Sequence, residues 1–257
     1  MINIFVINLE KSVERKQQIL SQLKSIPIDF NVQFIKAIDK NMLNDAEIAK
    51  YCDFSIYERR SIGEIACALS HRLVYQKIID EKIDFAVVLE DDVMIKENFF
   101  DVVKELYNKY KSECLPCNSI IKLDSEKPGS LYSRIKITKQ GRITYSVKIP
   151  VREVTFAWGY CIDNAACSTF LTQWPKMCFV ADEYKVIKKK INLLLLQPTL
   201  ITENPTFSCD SIILQRGKNE SISIGSNTEK LKLKTKIKNF FLKIIPLKIL
   251  GISLYEK

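Results

Sequence analysis

The sequence predicts an α/β domain built around a mostly parallel central sheet. Three observations carry that prediction. The opening reads β-α-β: residues 2–7 form a buried strand, a helix runs from about Val13 to Lys24 behind Ser12, and residues 30–38 alternate Val32, Phe34 and Ile38 as a second strand. That order favours a parallel pair joined by a right-handed crossover. Next, residues 85–89 (Phe-Ala-Val-Val-Leu) are an unbroken apolar run, the pattern of a strand buried on both faces. Further apolar runs at 119–123, 154–162 and 193–196 then alternate with helical patterns at 98–111 and 165–174.

The remaining elements follow from local chemistry. Residues 40–60 are polar, with short helical stretches. Ser61 with Glu64 three positions on is a capping box opening a helix that runs to about Ile79. Its small residues Gly63, Ala66, Cys67, Ala68 and Ser70 suit close packing on the sheet, and Glu64, Cys67 and His71 share one face. Ser70-His71 is either a satisfied half-buried pair or a pair that reaches a ligand. Residues 125–150, with Pro128-Gly129 and Gln140-Gly141, read as a β-hairpin or meander. Gly159 inside a strand marks a close backbone approach or a bulge. Asp163-Asn164 starts a helix that Pro175 closes, and Val180-Ala181-Asp182-Glu183-Tyr184 brings two more carboxylates into a loop or helix start. Past Ser208 there is little core pattern, so the expected division is a domain over 1–215 and an appendage over 216–257.

The composition narrows the function classes. At 257 residues, 47% hydrophobic and 27% charged, the chain has enough apolar material for a core without staples. Its net charge of +9 is concentrated: from Lys230 onward there are eight lysines and one glutamate, so +7 of it lies in the tail. A nearly neutral body argues against a nucleic-acid-binding role. The tail alternates lysine with apolar residues and then runs Phe240-Phe241-Leu242-Lys243-Ile244-Ile245, which reads as a basic amphipathic anchor on an anionic membrane surface. The eight cysteines are scattered, no secretory signal opens the chain, and reduced cytosolic thiols are expected. Cys114-Leu115-Pro116-Cys117 is a lone CxxC with no second pair, and His71, the single histidine of the chain, is remote in sequence, so zinc is not expected there. No stretch reaches the roughly 18 apolar residues of a transmembrane helix.

The chemistry is expected where the 85–89 strand delivers Glu90, Asp91 and Asp92. In open α/β sheets ligands bind just beyond the carboxyl ends of strands. Adjacent carboxylates repel one another, and hard oxygen ligands suit Mg²⁺ or Mn²⁺ carrying a phosphate. The bland alternative is a solvated acidic turn. Asn8 and Arg15, at the end of the first strand and in the first helical turn, either contact a nucleotide or are a turn residue and a surface arginine.

Together these residues resemble the family 25 glycosyltransferases, the lipooligosaccharide galactosyltransferases and their collagen-modifying relatives. The resemblance rests on Phe5-Val6-Ile7-Asn8-Leu9 with Arg15, on Gly63-Glu64-Ile65-Ala66-Cys67-Ala68-Leu69-Ser70-His71, on Val88-Leu89-Glu90-Asp91-Asp92-Val93, and on Trp158-Gly159-Tyr160-Cys161-Ile162 followed by Val180-Ala181-Asp182. It covers roughly residues 2–205. Asp124, where relatives carry a smaller residue, and Ala181, where they carry valine, depart from it near the expected acceptor side. The resemblance implies a GT-A type, Rossmann-like fold, a UDP-sugar donor (UDP-galactose first), Mn²⁺ or Mg²⁺, inversion at the anomeric carbon, and a lipooligosaccharide or lipopolysaccharide acceptor. It implies an enzyme working in the cytoplasm, peripheral at the inner face of the inner membrane.

On that footing Asp92 is expected to ligate the metal, with Glu90 in the same metal set. Glu90 and Asp91 would contact ribose or metal-bound water, Asn8 and Arg15 uridine or phosphate, and Ser70 and His71 would line the donor pocket. Asp182 would be the base that takes the acceptor proton, with Glu183 second. The alternatives are a different donor (UDP-glucose or UDP-N-acetylglucosamine), a nucleotide-sugar hydrolase or nucleotidyltransferase, or a non-catalytic membrane-surface module. Nucleotidyltransferases commonly open with a glycine-rich phosphate loop, which Asn8-Leu9-Glu10-Lys11 is not.

Overall fold

The computed structural model of the chain describes residues 1–207 apart from 54–55, 57–59, 125–130, 151–153 and 155–156. The basic tail and the division at 215 therefore lie outside the described residues, as do Thr155 and Phe156 of the expected strand. In chain order the elements are β1 (Ile2–Asn8), α1 (Val13–Gln22), β2 (Phe30–Lys36), a 3-10 turn (Lys40–Met42), α2 (Asp45–Tyr51), α3 (Ile62–Asp80), β3 (Phe85–Glu90), β4 (Val93–Ile95), α4 (Phe99–Lys111), β5 (Ser119–Lys122), β6 (Leu131–Gln140), β7 (Ile143–Pro150), β8 (Gly159–Asp163), α5 (Asn164–Gln173), α6 (Tyr184–Ile187), β9 (Asn192–Gln197) and β10 (Ile201–Glu203).

One eight-stranded sheet runs in the order β2-β1-β3-β8-β5-β9-β7-β6. β1 lies parallel to β2 and β3, and β5 parallel to β9. β8 is antiparallel to β3 and β5, and β7 to β6 and β9. Six strands thus point one way and two the other, so the sheet is mixed and mostly parallel in sense.

The pleat explains the apolar runs. Ile4 and Val6 of β1, Val87 and Leu89 of β3, and Leu194 and Leu196 of β9 enter the layer holding Ile19 and Leu23, at the end of α1, and Phe99, Val102 and Leu106 of α4. Phe5 and Ile7, Ala86 and Val88, and Leu193 and Leu195 enter the opposite layer with Val74 and Ile78 of α3 and Ala166 and Phe170 of α5. Helices cover both faces, so the central positions of these strands are apolar on both faces. Glu90, which continues the Ala86–Val88 face of β3, consequently turns toward α3.

Several helix starts follow the local chemistry, and others do not. Ser61 and Glu64 form the reciprocal capping box, and Asp163 caps α5 through Ala166 N–H (2.7 Å) while accepting Ser119 N–H of β5 (3.0 Å). Ser12 stands at the N-cap of α1 but its hydroxyl makes no capping bond. That turn is held instead by Ser12 N–H on the Leu9 carbonyl (2.8 Å) and by the Asn8 amide on the Ser12 carbonyl (3.2 Å).

Gly159 is required by close approach. A Cβ there would lie 2.3 Å from Ile201 Cδ1 and 2.8 Å from Leu89 Cδ2, both buried. Gly159→Ala should therefore destabilise the protein by about 1–3 kcal/mol through overpacking, read as a lowered denaturant midpoint at unchanged slope.

Candidate functional site

The carboxyl ends of β1, β2 and β3 and the first turns of α1 and α3 enclose a cleft of about 410 Å³. Its lining includes Arg15, Ser70, Cys67, Glu90, Asp91 and Asp92. The turn that carries the last two is pinned from behind. β4 pairs with β10, Gln22 bonds both Val93 O (2.9 Å) and Ile95 N–H (2.7 Å), and Asn204 N–H donates to Asp92 O (2.9 Å).

Asn8 and Arg15, 83 and 76 residues from Asp91, meet it at this turn. The Asn8 amide donates to Asp91 Oδ2 at 2.6 Å, and Arg15 Nη1 reaches Asp91 Oδ1 at 3.4 Å and Asp92 Oδ2 at 3.0 Å. The Arg15 guanidinium also lies over the Phe207 ring, 5.1 Å from its centre. One oxygen of Asp92, Oδ1, is buried without a hydrogen-bond partner among the described residues. A buried carboxylate oxygen left open in this way suits a cation.

Burial pushes the Asp92 carboxyl up to about 7, with Glu90 and Asp91 adding repulsion and Arg15 opposing it. Burial likewise raises Asp91, against Asn8 and Arg15. The native state thus keeps a proton on Asp92 up to about 7, which the unfolded chain releases near 3.8. That contribution to stability is full below 3.8 and is lost as pH rises through about 7. The metal-free protein should lose stability between about pH 4 and pH 7, by on the order of a few kcal/mol. Thermal melts of wild type and Asp92→Asn check this, and the variant should show the flatter profile.

Ser70 and His71 are both buried, and Ser70 lines the cleft whereas His71 does not. Ser70 Oγ donates to the Ala66 carbonyl (2.7 Å) and accepts Ile38 N–H (2.9 Å), tying α3 to the segment after β2 at the cleft wall. His71 is 1% exposed and stands behind Glu90, off the cleft lining. Its Nε2 is 3.3 Å from Glu90 Oε1 and its Nδ1 2.7 Å from the Tyr160 hydroxyl, which lies 2.9 Å from that of Tyr75. The packing of α3 on β3 and β8 thus gives His71 the Glu90 carboxylate to orient. Burial works against the Glu90 carboxylate, yet the hydrogen bonds from His71 and Cys67 hold it below its usual range.

Asp182 and Glu183 have opposite fates. Glu183 ion-pairs with Arg60, which also holds Glu64 at 3.3 Å, and accepts Val180 N–H at 2.9 Å. Both its oxygens are engaged, and they clamp its own loop. Asp182 is half-buried off the cleft lining, and burial raises its carboxyl against the pull of Arg60.

Several site residues were missed from the sequence. Lys122 and Asp124 form a fully buried ion pair at 2.9 Å; Lys122 also reaches the Tyr184 hydroxyl at 3.2 Å, and Gly159 N–H donates to Asp124 at 3.3 Å. The pair anchors the end of β5 to β8 and α6, which accounts for Asp124. A lysine within an apolar strand, two residues before an aspartate, was the available signal. Arg60 could have been read from its i,i+4 spacing to Glu64, whereas Phe207 and Asn204 left no local signal. Cys114 and Cys117 are free thiols, and no helix among the described residues is long and apolar enough to cross a membrane.

The sequence profile of glycosyltransferase family 25, described as an LPS biosynthesis protein family, matches residues 1–185. The chain belongs to glycosyltransferase family 25. Procollagen galactosyltransferase 2 of Homo sapiens is 31% identical over 105 residues, 37% of this chain and 16% of that protein. The inactive glycosyltransferase 25 family member 3 of Mus musculus is 30% identical over 105 residues, 37% of this chain and 17% of that protein. The lipooligosaccharide biosynthesis protein lic2B of Haemophilus influenzae is 28% identical over 94 residues, 37% of this chain and 35% of that protein. The aligned region is thus a small part of each of these relatives.

Proposed function

We propose that this chain is a metal-dependent, inverting glycosyltransferase of GT-A type that moves galactose from UDP-galactose onto a lipooligosaccharide or lipopolysaccharide glycan. The observation that carries the reading is the open, buried Oδ1 of Asp92 beside Arg15, at the mouth of a cleft where β1 and β3 end. Asp92 would hold Mn²⁺ or Mg²⁺, with Glu90 beside it in the same acidic set. Bound there, the cation neutralises the charge that develops on the departing diphosphate.

The chain's own residues do the rest. Asn8 fixes Asp91, Arg15 keeps the adjacent acids from repelling one another apart, and the cleft between β1, β2 and α3 takes the nucleotide. Asp182, whose burial favours holding a proton, takes it from the acceptor hydroxyl. Galactose and the glycan acceptor are proposed because the named relatives include a procollagen galactosyltransferase and a lipooligosaccharide biosynthesis protein. The test is product formation from a panel of UDP-galactose, UDP-glucose and UDP-N-acetylglucosamine with a truncated lipooligosaccharide. Transfer from UDP-galactose is expected; transfer from another donor revises the sugar.

A second reading, a non-catalytic family member, draws on the inactive mouse relative. It predicts no transfer from any donor. We further propose that the chain works in the cytoplasm, held peripherally at the inner face of the inner membrane by its basic tail. Deleting 230–257 should then abolish sedimentation with anionic liposomes without abolishing transfer to a soluble acceptor.

A further inference from the structure

One cluster beside the cleft mixes soft and hard donors. Cys67 and His71 lie one turn apart on the same face of α3 and meet Glu90 at the end of β3. Cys67 Sγ is 3.6 Å and His71 Nε2 3.3 Å from Glu90 Oε1, and the ligand atoms of the three residues all lie within 4.8 Å of one another. Among the described residues no other group of three or more has this property. In a tetrahedral zinc site, bonds of about 2.0–2.3 Å place neighbouring N and O donors about 3.3 Å apart and S and O donors about 3.5 Å apart. The two observed separations already match those values.

The surroundings support the same assignment. Metal-bound histidines have their other ring nitrogen fixed by a hydrogen bond. Here the Tyr160 hydroxyl at 2.7 Å fixes Nδ1, and Tyr75 in turn orients Tyr160. The hydroxyl chain can accept from Nδ1–H as readily as donate to Nδ1, so it accommodates the tautomer that frees the Nε2 lone pair. Cys67 and Glu90 line the cleft, which gives an ion a route in and leaves room for a fourth ligand.

We propose that Cys67, His71 and Glu90 form a binding site for a borderline-soft divalent cation of the Zn²⁺ class, with a fourth position reached from the cleft and open to water or a phosphate oxygen. A thiolate and an imidazole select such an ion over Mg²⁺ and Mn²⁺, which distinguishes this site from the all-oxygen set of Asp92 and Glu90, with which it shares Glu90. Binding forms the Sγ–metal bond and releases the thiol proton of Cys67 to solvent, and the hydrogen bonds from Cys67 and His71 to Glu90 give way to coordination. The site does not depend on the sugar-transfer reading.

Co²⁺ serves as the spectroscopic probe, titrated into the full chain carrying Cys114→Ser and Cys117→Ser so that the exposed pair contributes nothing. A thiolate-to-cobalt charge-transfer band saturating at one equivalent, and bleached by Zn²⁺, is expected. Adding Cys67→Ser should remove the band while far-ultraviolet circular dichroism stays unchanged. Glu90→Gln, which tests the site independently should the serine variant fail to fold, should weaken Co²⁺ binding by at least about tenfold. Absence of the band in the parent protein, its persistence in a folded Cys67→Ser variant, or unchanged Co²⁺ affinity in Glu90→Gln overturns the proposal.

Discussion

Asp92→Asn should abolish the divalent-metal dependence of UDP binding and lower transfer by on the order of a thousandfold or more. The carboxylate has two separate engagements: Oδ2 pairs with Arg15 at 3.0 Å, and Oδ1 is buried and open. Asparagine keeps the volume but supplies one oxygen. If that oxygen faces Arg15, the amide NH₂ replaces the cation-binding atom; if it faces the opening, NH₂ confronts the guanidinium. Either orientation forfeits one engagement. The fold should survive, because the charge removed is one that burial already disfavours. Titrations of UDP with and without Mn²⁺, paired with thermal melts, separate the two effects. A variant that melts normally yet binds and transfers like wild type would remove Asp92 from the site.

Asp182→Asn should give the second large effect, a turnover loss of about a hundredfold to ten-thousandfold with UDP affinity retained. Asp182 lies off the cleft lining, so its loss should leave nucleotide contacts in place. Glu183→Gln is the internal control. It breaks the Arg60 ion pair and weakens the hold on Val180 N–H, so its cost should fall on the stability of the loop more than on the proton transfer. Single-turnover rates and UDP titrations on both variants distinguish them. Retained turnover in Asp182→Asn would assign the base elsewhere.

Much of the fold was legible because burial on both faces leaves a plain mark: the central residues of β1, β3 and β9 form unbroken apolar runs. The capping box at Ser61 and Glu64 was equally visible, since reciprocal capping is a four-residue property. Strand direction was not. The segment at 154–162 read as an apolar strand with a glycine, but nothing in it says that β8 runs antiparallel between β3 and β5. The site was legible as a set of residues and illegible as a set of contacts. Asn8, Arg15, Asp91 and Asp92 do converge, through contacts that cross some 80 residues. Asp182 and Glu183 are neighbours in sequence, and only the position of Arg60 separates the clamp from the candidate base. His71 read as a ligand contact because its burial behind Glu90 depends on how α3 packs against β3 and β8.

The central claim is that the acidic turn after β3 holds a cation together with a uridine diphosphate. Calorimetric titration of UDP into the full chain, with Mn²⁺ present and then with Mn²⁺ removed by chelation, tests it most directly. Binding of one UDP per chain that requires Mn²⁺ is the predicted result. UDP binding equally well in both conditions, or in neither, would contradict it.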